Sequence, residues 1–308
     1  RIFRMNMDGS EAEQLSGYTS PEMPEGSQGN NDILGLCIDD QGNLWVAEQG
    51  YYYHFDESGN YVDDGRNFNI RKLDSTGAEL AKLDMSSLLE QNENLYVQGI
   101  AVDGEGNICF SDGNQSVYVF DSQGQKKHEL TVDNWTSGIV RLADGSVAVT
   151  TTEGQGSVLK PIDTAVGDWK ESIPMPMNVW NAYTGVGEYL VFFSDTSNLY
   201  GYKKGAEKAE KLLNWINCDI DGSAINSVTM LPDGRIACFV NSFNYNDNSS
   251  NVEMAFLTKT DASKVPQKTI LSMAAFYLDY TLRAKIIEFN KKNEKYRIEI
   301  KDYSEFNT

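Results

Sequence analysis

Short apolar strands alternate with Gly-centred polar turns along most of this chain. One hairpin recurs: an apolar strand, an Asp-Gly or Asp-x-x-Gly-Asn turn, and a second apolar strand. It reads LGLCIDDQGNLWVAEQ around Gly42, QGIAVDGEGNICFSD around Gly106, SGIVRLADGSVAVTT around Gly145 and INSVTMLPDGRIACFV around Gly234. A weaker copy, WNAYTGVGEYLVFFSD, has Gly187 at its turn, and the turn glycines are spaced by 64, 39, 42 and 47 residues. Asp or Asn beside Gly suits a tight hairpin, because the turn needs positive φ.

A second kind of hairpin lies between copies of the first. Its clear forms are FRMNMDGSEAEQL at Asp8, IRKLDSTGAELAKL at Asp74 and VYVFDSQGQKKHEL at Asp121; looser ones lie at Asp163, Gly205 and Asp261. The strand after each turn is short and charged, as an outer edge must be to avoid pairing with neighbours. Two hairpins make four strands, and four strands repeating every 40–50 residues predict a β-propeller. Five whole units (33–86, 96–132, 136–173, 178–215 and 224–268) and an outer half unit at 1–18 are expected, from a ring of six or seven blades.

The period changes near residue 268. An apolar run from Thr269 to Phe276 leads to Asp279, an N-cap candidate. Leu282, Ile286 and Phe289 then follow with helical spacing, and Tyr296, Ile298 and Ile300 alternate with charged residues. This predicts β-α-β, the opening of an α/β domain, so the expected division is a propeller over 1–268 and an α/β start over 269–308.

Charge narrows the partners. Net charge is −19, and residues 279–308 carry seven Lys/Arg against six Asp/Glu, so the acidity belongs to the propeller. Such a field repels phosphate backbones, which excludes nucleic acid as a partner. Cys37, Cys109, Cys218 and Cys238 fall in separate units, and only His54 and His128 are present. The cysteines read as small buried hydrophobes, no metal or other cofactor is expected, and no disulfide pairing is inferred.

Candidate chemistry is sparse. No nucleophile elbow, phosphate loop or HExxH motif occurs, so the chain is read as a binding protein and not an enzyme. The acidic stretches Asp219–Ser223 and Asn246–Ser250 are rich in oxygen but lack the bidentate Glu of a calcium loop. Aromatic residues offer a sugar-stacking surface: Trp45, Tyr51, Tyr52, Tyr53 and Tyr61 in the first full unit, with Trp135, Trp169, Trp180 and Trp215 elsewhere. Tryptophans in a propeller more commonly pack between blades. In the run Tyr51-Tyr52-Tyr53-His54, alternate side chains must face opposite sides, which brings at least one ring to the surface.

The tail AAFYLDYTLRAKIIEFNKKNEKYRIEIKDYSEFNT resembles the N-terminal segment of bacterial extracellular solute-binding proteins, the sugar-type receptors of ABC importers. The resemblance rests on Leu282-Arg283, Ile286, Phe289-Asn290-Lys291, Asn293 and Tyr296 to Ser304. It implies a lipoprotein on the outer face of the cytoplasmic membrane, held by a lipid anchor outside this chain. It further implies a small-molecule solute, a sugar or oligosaccharide, and permease subunits reached through a domain that follows these residues. Its ligand would touch Tyr277, Asp279 and Tyr280 in the loop after the first strand, and Tyr303 near the end of the second; Tyr52 and Trp45 are further ligand candidates, taken from the aromatic pattern of the propeller and not from the resemblance. Two other readings stand beside it: a propeller that binds a ligand or protein on its own, and a propeller lyase or glycoside hydrolase.

Overall fold

In the computed structural model the recurring Asp is both a turn residue and a cap. The Asp39 carboxylate accepts from the backbone N–H of Gln41 and Asn43 (3.0 and 2.9 Å), while Gly42 donates to the Asp39 carbonyl. Gly42 sits at φ 81°, where a side chain would be strained. The same two-amide grip recurs at Asp56, Asp74, Asp103 and Asp121. The Asp-x-x-Gly spacing therefore satisfies turn amides that strand pairing leaves open.

The structure describes residues 1–6, 8–92, 95–176, 179, 181–244, 249–264 and 267–303. It divides into two compact units, Arg1–Ile173 and Pro174–Thr308. The first unit opens with a two-stranded hairpin, β1 (Phe3–Arg4) and β2 (Glu13–Gln14). The first blade follows with β3 (Gln28–Ile38), β4 (Leu44–Phe55), β5 (Tyr61–Leu73) and β6 (Glu79–Asp84), then a short helix, α1 (Ser87–Gln91). The second blade has β7 (Ile100–Val102), β8 (Ile108–Ser111), β9 (Ser116–Phe120) and β10 (Lys126–Thr131). The third has β11 (Gly138–Arg141), β12 (Val147–Glu153), β13 (Gly156–Asp163) and β14 (Asp168–Trp169). All these pairings are antiparallel between consecutive strands, as a propeller of four-stranded blades requires.

Strand alternation explains the core of this unit. Ile100 and Val102 of β7 face the first blade, packing with Trp45, Ala47, Phe68 and Ile70, whereas Ala101 between them faces the third blade with Cys109, Val147 and Val149. A strand buried on both faces reads as a continuous apolar run. Phe110 meets Phe68 edge-on at 5.5 Å and stacks on Phe120 at 5.6 Å.

The N-terminal hairpin is locked to the first blade by Ile2, Leu15 and Tyr18 against Val46 and Leu73. Beneath them the Tyr18 hydroxyl donates to buried Glu48 (2.5 Å), which faces Arg71 at 3.3 Å. Arg71 also donates to Glu79 (2.7 Å) and to the Thr19 carbonyl (2.8 Å), so its charge is fully partnered. Burial, then the bond to Glu48, pushes the Tyr18 phenol well above its usual range.

A two-residue strand, β15 (Ile173–Pro174), marks the change of unit along the chain. In the second unit a four-stranded blade contains β16 (Asn181–Thr184), β17 (Tyr189–Ser194), β18 (Asn198–Lys203) and β19 (Glu210–Asn214). The next sheet has three strands, β20 (Ile225–Met230), β21 (Ile236–Asn244) and β22 (Ser249–Leu257). Phe192 and Leu199 of the four-stranded blade, with Trp215 just after β19, pack with Ile225, Val228, Cys238 and Val240 of the next. The whole unit expected over 224–268 thus has three strands among the described residues, with no fourth after the Asp261 turn; the next strand, β23 (Thr269–Ala275), opens the β-α-β segment as the sequence predicts. It pairs in parallel with β24 (Tyr296–Asp302), with α2 (Tyr280–Lys292) crossing between.

Candidate ligand-binding surfaces

The first surface is built on the β-α-β segment. Helix α2 starts where the sequence predicts, because the Asp279 carboxylate accepts from the Leu282 N–H at 3.0 Å. Its buried side is set by Ile286, with Leu282 and Ile287 alongside, against Ile298 and Ile300 of β24, Met273 and Ala275 of β23, and Ile216. Asn290, 1% exposed, turns its amide onto β24, accepting from the Ile298 N–H (2.8 Å) and donating to the Ile298 carbonyl (2.9 Å). Asn217 does the same for Ile300 at 3.0 and 3.3 Å. Two asparagine amides thus occupy the backbone edge of β24 that β23 leaves open.

The segment is also tied electrostatically to the acidic stretch Asp219–Ser223. Arg297 donates to both carboxylate oxygens of Asp219 (3.1 and 3.0 Å) and to the Asn217 carbonyl (2.6 Å). Asp221 accepts from the Ser223 N–H and hydroxyl and lies 3.4 Å from the buried Arg283 guanidinium. Both carboxylates are committed to protein partners, so this stretch serves as an attachment point. Of the other oxygen-rich stretch, residues 246–248 lie outside the described residues, as does Trp180.

At the carboxyl ends of β23 and β24, where open parallel sheets bind ligands, the rings are exposed. Tyr277 is 78% exposed and Phe276 58%, and the Phe276 ring lies 6.1 Å from that of Tyr303. The Tyr303 N–H donates to the Ala275 carbonyl (2.8 Å), which fixes the turn carrying the ring. Tyr277, Asp279 and Tyr303 therefore share one end of the parallel pair, with Asp279 engaged as cap; Tyr280 is the first residue of α2. The pattern gave no notice of Phe276 as an exposed member.

The second surface is in the first blade. Trp45 is 2% exposed and belongs to the interblade core; its Nε1 donates to Asp39 (3.0 Å) and Lys72 lies over its ring. Burial acts to raise the Asp39 pKa, but the bonds from Trp45, Asn43 and Lys72 prevail and hold the carboxyl below its usual range. Tyr52 is 4% exposed, donating to Asn31 (2.6 Å) and accepting from Asn67 (2.9 Å), so it stitches β3, β4 and β5 together. Neither ring is open to a ligand.

Alternation then directs Tyr51, Tyr53 and Phe55 to the opposite face. Centroid separations are 6.1 Å for Tyr51–Tyr53 and 5.8 Å for Tyr53–Phe55, and Tyr61 from β5 stacks on Tyr53 at 5.4 Å. The Tyr51 and Tyr61 hydroxyls are bonded to each other, which pushes the Tyr61 phenol up to about 12. These rings lie on an extension in which β3, β4 and β5 run 11, 12 and 13 residues. Two signals mark it in the sequence: the 64-residue glycine spacing, and a further Asp-x-x-Gly-Asn turn at Asp56–Asn60.

No protein-family model matches the chain, and no curated protein matches it. Among solved structures it is similar to one described as glucose dehydrogenase, at 11% identity over 85% of this chain and 90% of that one, TM-score 0.45. It is also similar to the Kuenenia stuttgartiensis hydrazine synthase, at 12% identity over 68% of this chain and 76% of that one, TM-score 0.40. A third is the dihydro-heme d1 dehydrogenase NirN in complex with DHE, at 14% identity over 59% of this chain and TM-score 0.37; the chain spans 40% of its length. At these identities none carries a function to this chain.

Proposed function

We propose that this chain is part of an extracellular solute receptor of an ABC importer, with a carbohydrate as solute and the propeller as an accessory domain. The observation that carries this reading is the parallel β23–α2–β24 segment, whose carboxyl end presents Phe276, Tyr277 and Tyr303. Flat rings beside a parallel-sheet edge suit the apolar C–H faces of a sugar. The receptor's permease partner and its lipid anchor belong to this same proposal, as does its lack of catalysis. Engagement of Asp219 and Asp221 by arginines supports binding over acid–base chemistry at that stretch. The test is the natural reading frame around these residues. The proposal expects a lipid-modified cysteine upstream and a two-lobed α/β domain continuing from β24. A frame that stops just past Thr308, or continues into an unrelated fold, overturns it.

A further inference from the structure

We propose that the aromatic face of the β3–β4–β5 extension binds a neutral glycan chain, as a site separate from the parallel-sheet edge and independent of the importer reading. Tyr51, Tyr53 and Phe55 stand in line along β4 with Tyr61 beside them, all on one side of the sheet. At about 3.3 Å per residue the line is about 13 Å long. That is an elongated platform, suited to consecutive sugar rings of a chain and too open to enclose a single small solute.

The polar neighbours fit the same occupant. Gln28 and Asn30 lie opposite Tyr53 and Tyr51 on β3, and Asp63 lies opposite Tyr53 on β5, so all three share the aromatic face. They are exposed. Amides and a carboxylate beside flat rings offer hydrogen-bond partners to equatorial hydroxyls while the rings take the C–H faces. No Leu, Ile, Val or Met occupies this face of the extension, unlike the apolar centre of a protein–protein contact. Glycine supports the geometry: Gly29 has φ 146°, and a Cβ there would meet the Tyr51 carbonyl. The backbone of β3 thus lies close against β4 beneath the rings.

Charge selects the class of glycan. From residue 51 to residue 65 there is no Lys or Arg, while Asp56, Glu57, Asp63 and Asp64 are all acidic; the one cation on this face, Arg66 opposite Tyr51, is half-buried and donates to the Leu95 carbonyl (3.2 Å). Together with the net charge of −19, this disfavours uronic-acid and phosphate polymers and leaves neutral chains.

Affinity electrophoresis of the whole chain in native gels containing starch, mannan, xylan, β-1,3-glucan or polygalacturonate tests this. The expected result is retardation by at least one neutral polysaccharide, none by polygalacturonate, and no loss when salt rises from about 50 to about 300 mM. The double variant Tyr53→Ala/Tyr61→Ala, and separately Phe55→Ser, should weaken the apparent Kd by about tenfold or more, whereas Tyr96→Ala, an exposed ring elsewhere, should not. Circular dichroism of each variant confirms an unchanged fold, as expected for surface rings. The proposal is overturned if no neutral polysaccharide retards the chain, or if the variants are retarded as strongly as the parent. It is equally overturned if light scattering shows a dimer that these variants abolish, or if the face captures polylysine in a salt-sensitive way instead.

Discussion

Arg297 grips Asp219 through both terminal nitrogens of its guanidinium, at 3.1 and 3.0 Å, across 78 residues of sequence. The pair joins β24 to the turn after β19, and a third bond to the Asn217 carbonyl completes it. Bidentate Arg–carboxylate geometry is among the stronger polar contacts in proteins. Arg297→Met should therefore destabilise the chain by about 1–3 kcal/mol in urea unfolding. Adding Asp219→Asn should cost little more, because the partner is already unpaired. Fully additive losses would show that the two residues act separately.

Asn290 makes a sharper case. Its amide is buried and satisfies both the N–H and the carbonyl of Ile298. Asn290→Ala leaves two buried backbone groups unpaired, with an expected cost of about 2–4 kcal/mol. Asn290→Asp keeps the acceptor and loses the donor, so hydrogen exchange at Ile298 should stay slower in that variant than in Asn290→Ala. Equal exchange in both would contradict the assignment.

High pH should unfold the chain earlier than its acidity alone suggests. Burial raises the phenols of Tyr18 and Tyr118, and pushes that of Tyr183 up to about 12. The folded chain therefore retains protons that the unfolded chain gives up near pH 10. Stability from these groups is complete below pH 10 and falls as pH rises toward the folded values. Tyr18→Phe should remove about 1.4 kcal/mol per pH unit from that slope, measured as urea midpoints at stepped alkaline pH. An unchanged slope would contradict the buried role of Tyr18.

The thiols give a further check. All four cysteines are free, and burial pushes Cys37 up to about 12 and Cys238 up to about 11, with Cys109 and Cys218 also raised. At pH 8 a disulfide-exchange reagent should react slowly with the native chain and promptly with all four cysteines in denaturant. Prompt native reaction at Cys109 would contradict the interblade packing.

The blades were legible because their turns are local: Asp39 and Gly42, or Asp103 and Gly106, carry the whole hairpin signal within five residues. The Asp279 cap and the alternation of Tyr296, Ile298 and Ile300 were legible for the same reason. Long-range pairings were not. Nothing near Asn290 or Asn217 announces that its amide will cover the edge of β24. Nor does the Asp219–Ser223 stretch show that arginines 62 and 78 residues away will claim its carboxylates. In the first blade the alternation of the tyrosine run was plain, but its phase was not. Trp45 and Tyr52 stand inside, and the rings that reach solvent are Tyr51, Tyr53, Phe55 and Tyr61. That phase is set by the pairing register of β3, β4 and β5, which depends on the whole extension.

The proposed carbohydrate site at the parallel-sheet edge can be measured by isothermal titration calorimetry. The natural full-length polypeptide would be titrated with a panel of neutral mono- and oligosaccharides. One of them should bind, Tyr277→Ala or Tyr303→Ala should weaken that binding by about tenfold, and Tyr96→Ala, an exposed ring elsewhere, should leave it unchanged. Absence of binding across the panel, or binding indifferent to Tyr277 and Tyr303, would contradict the proposed site.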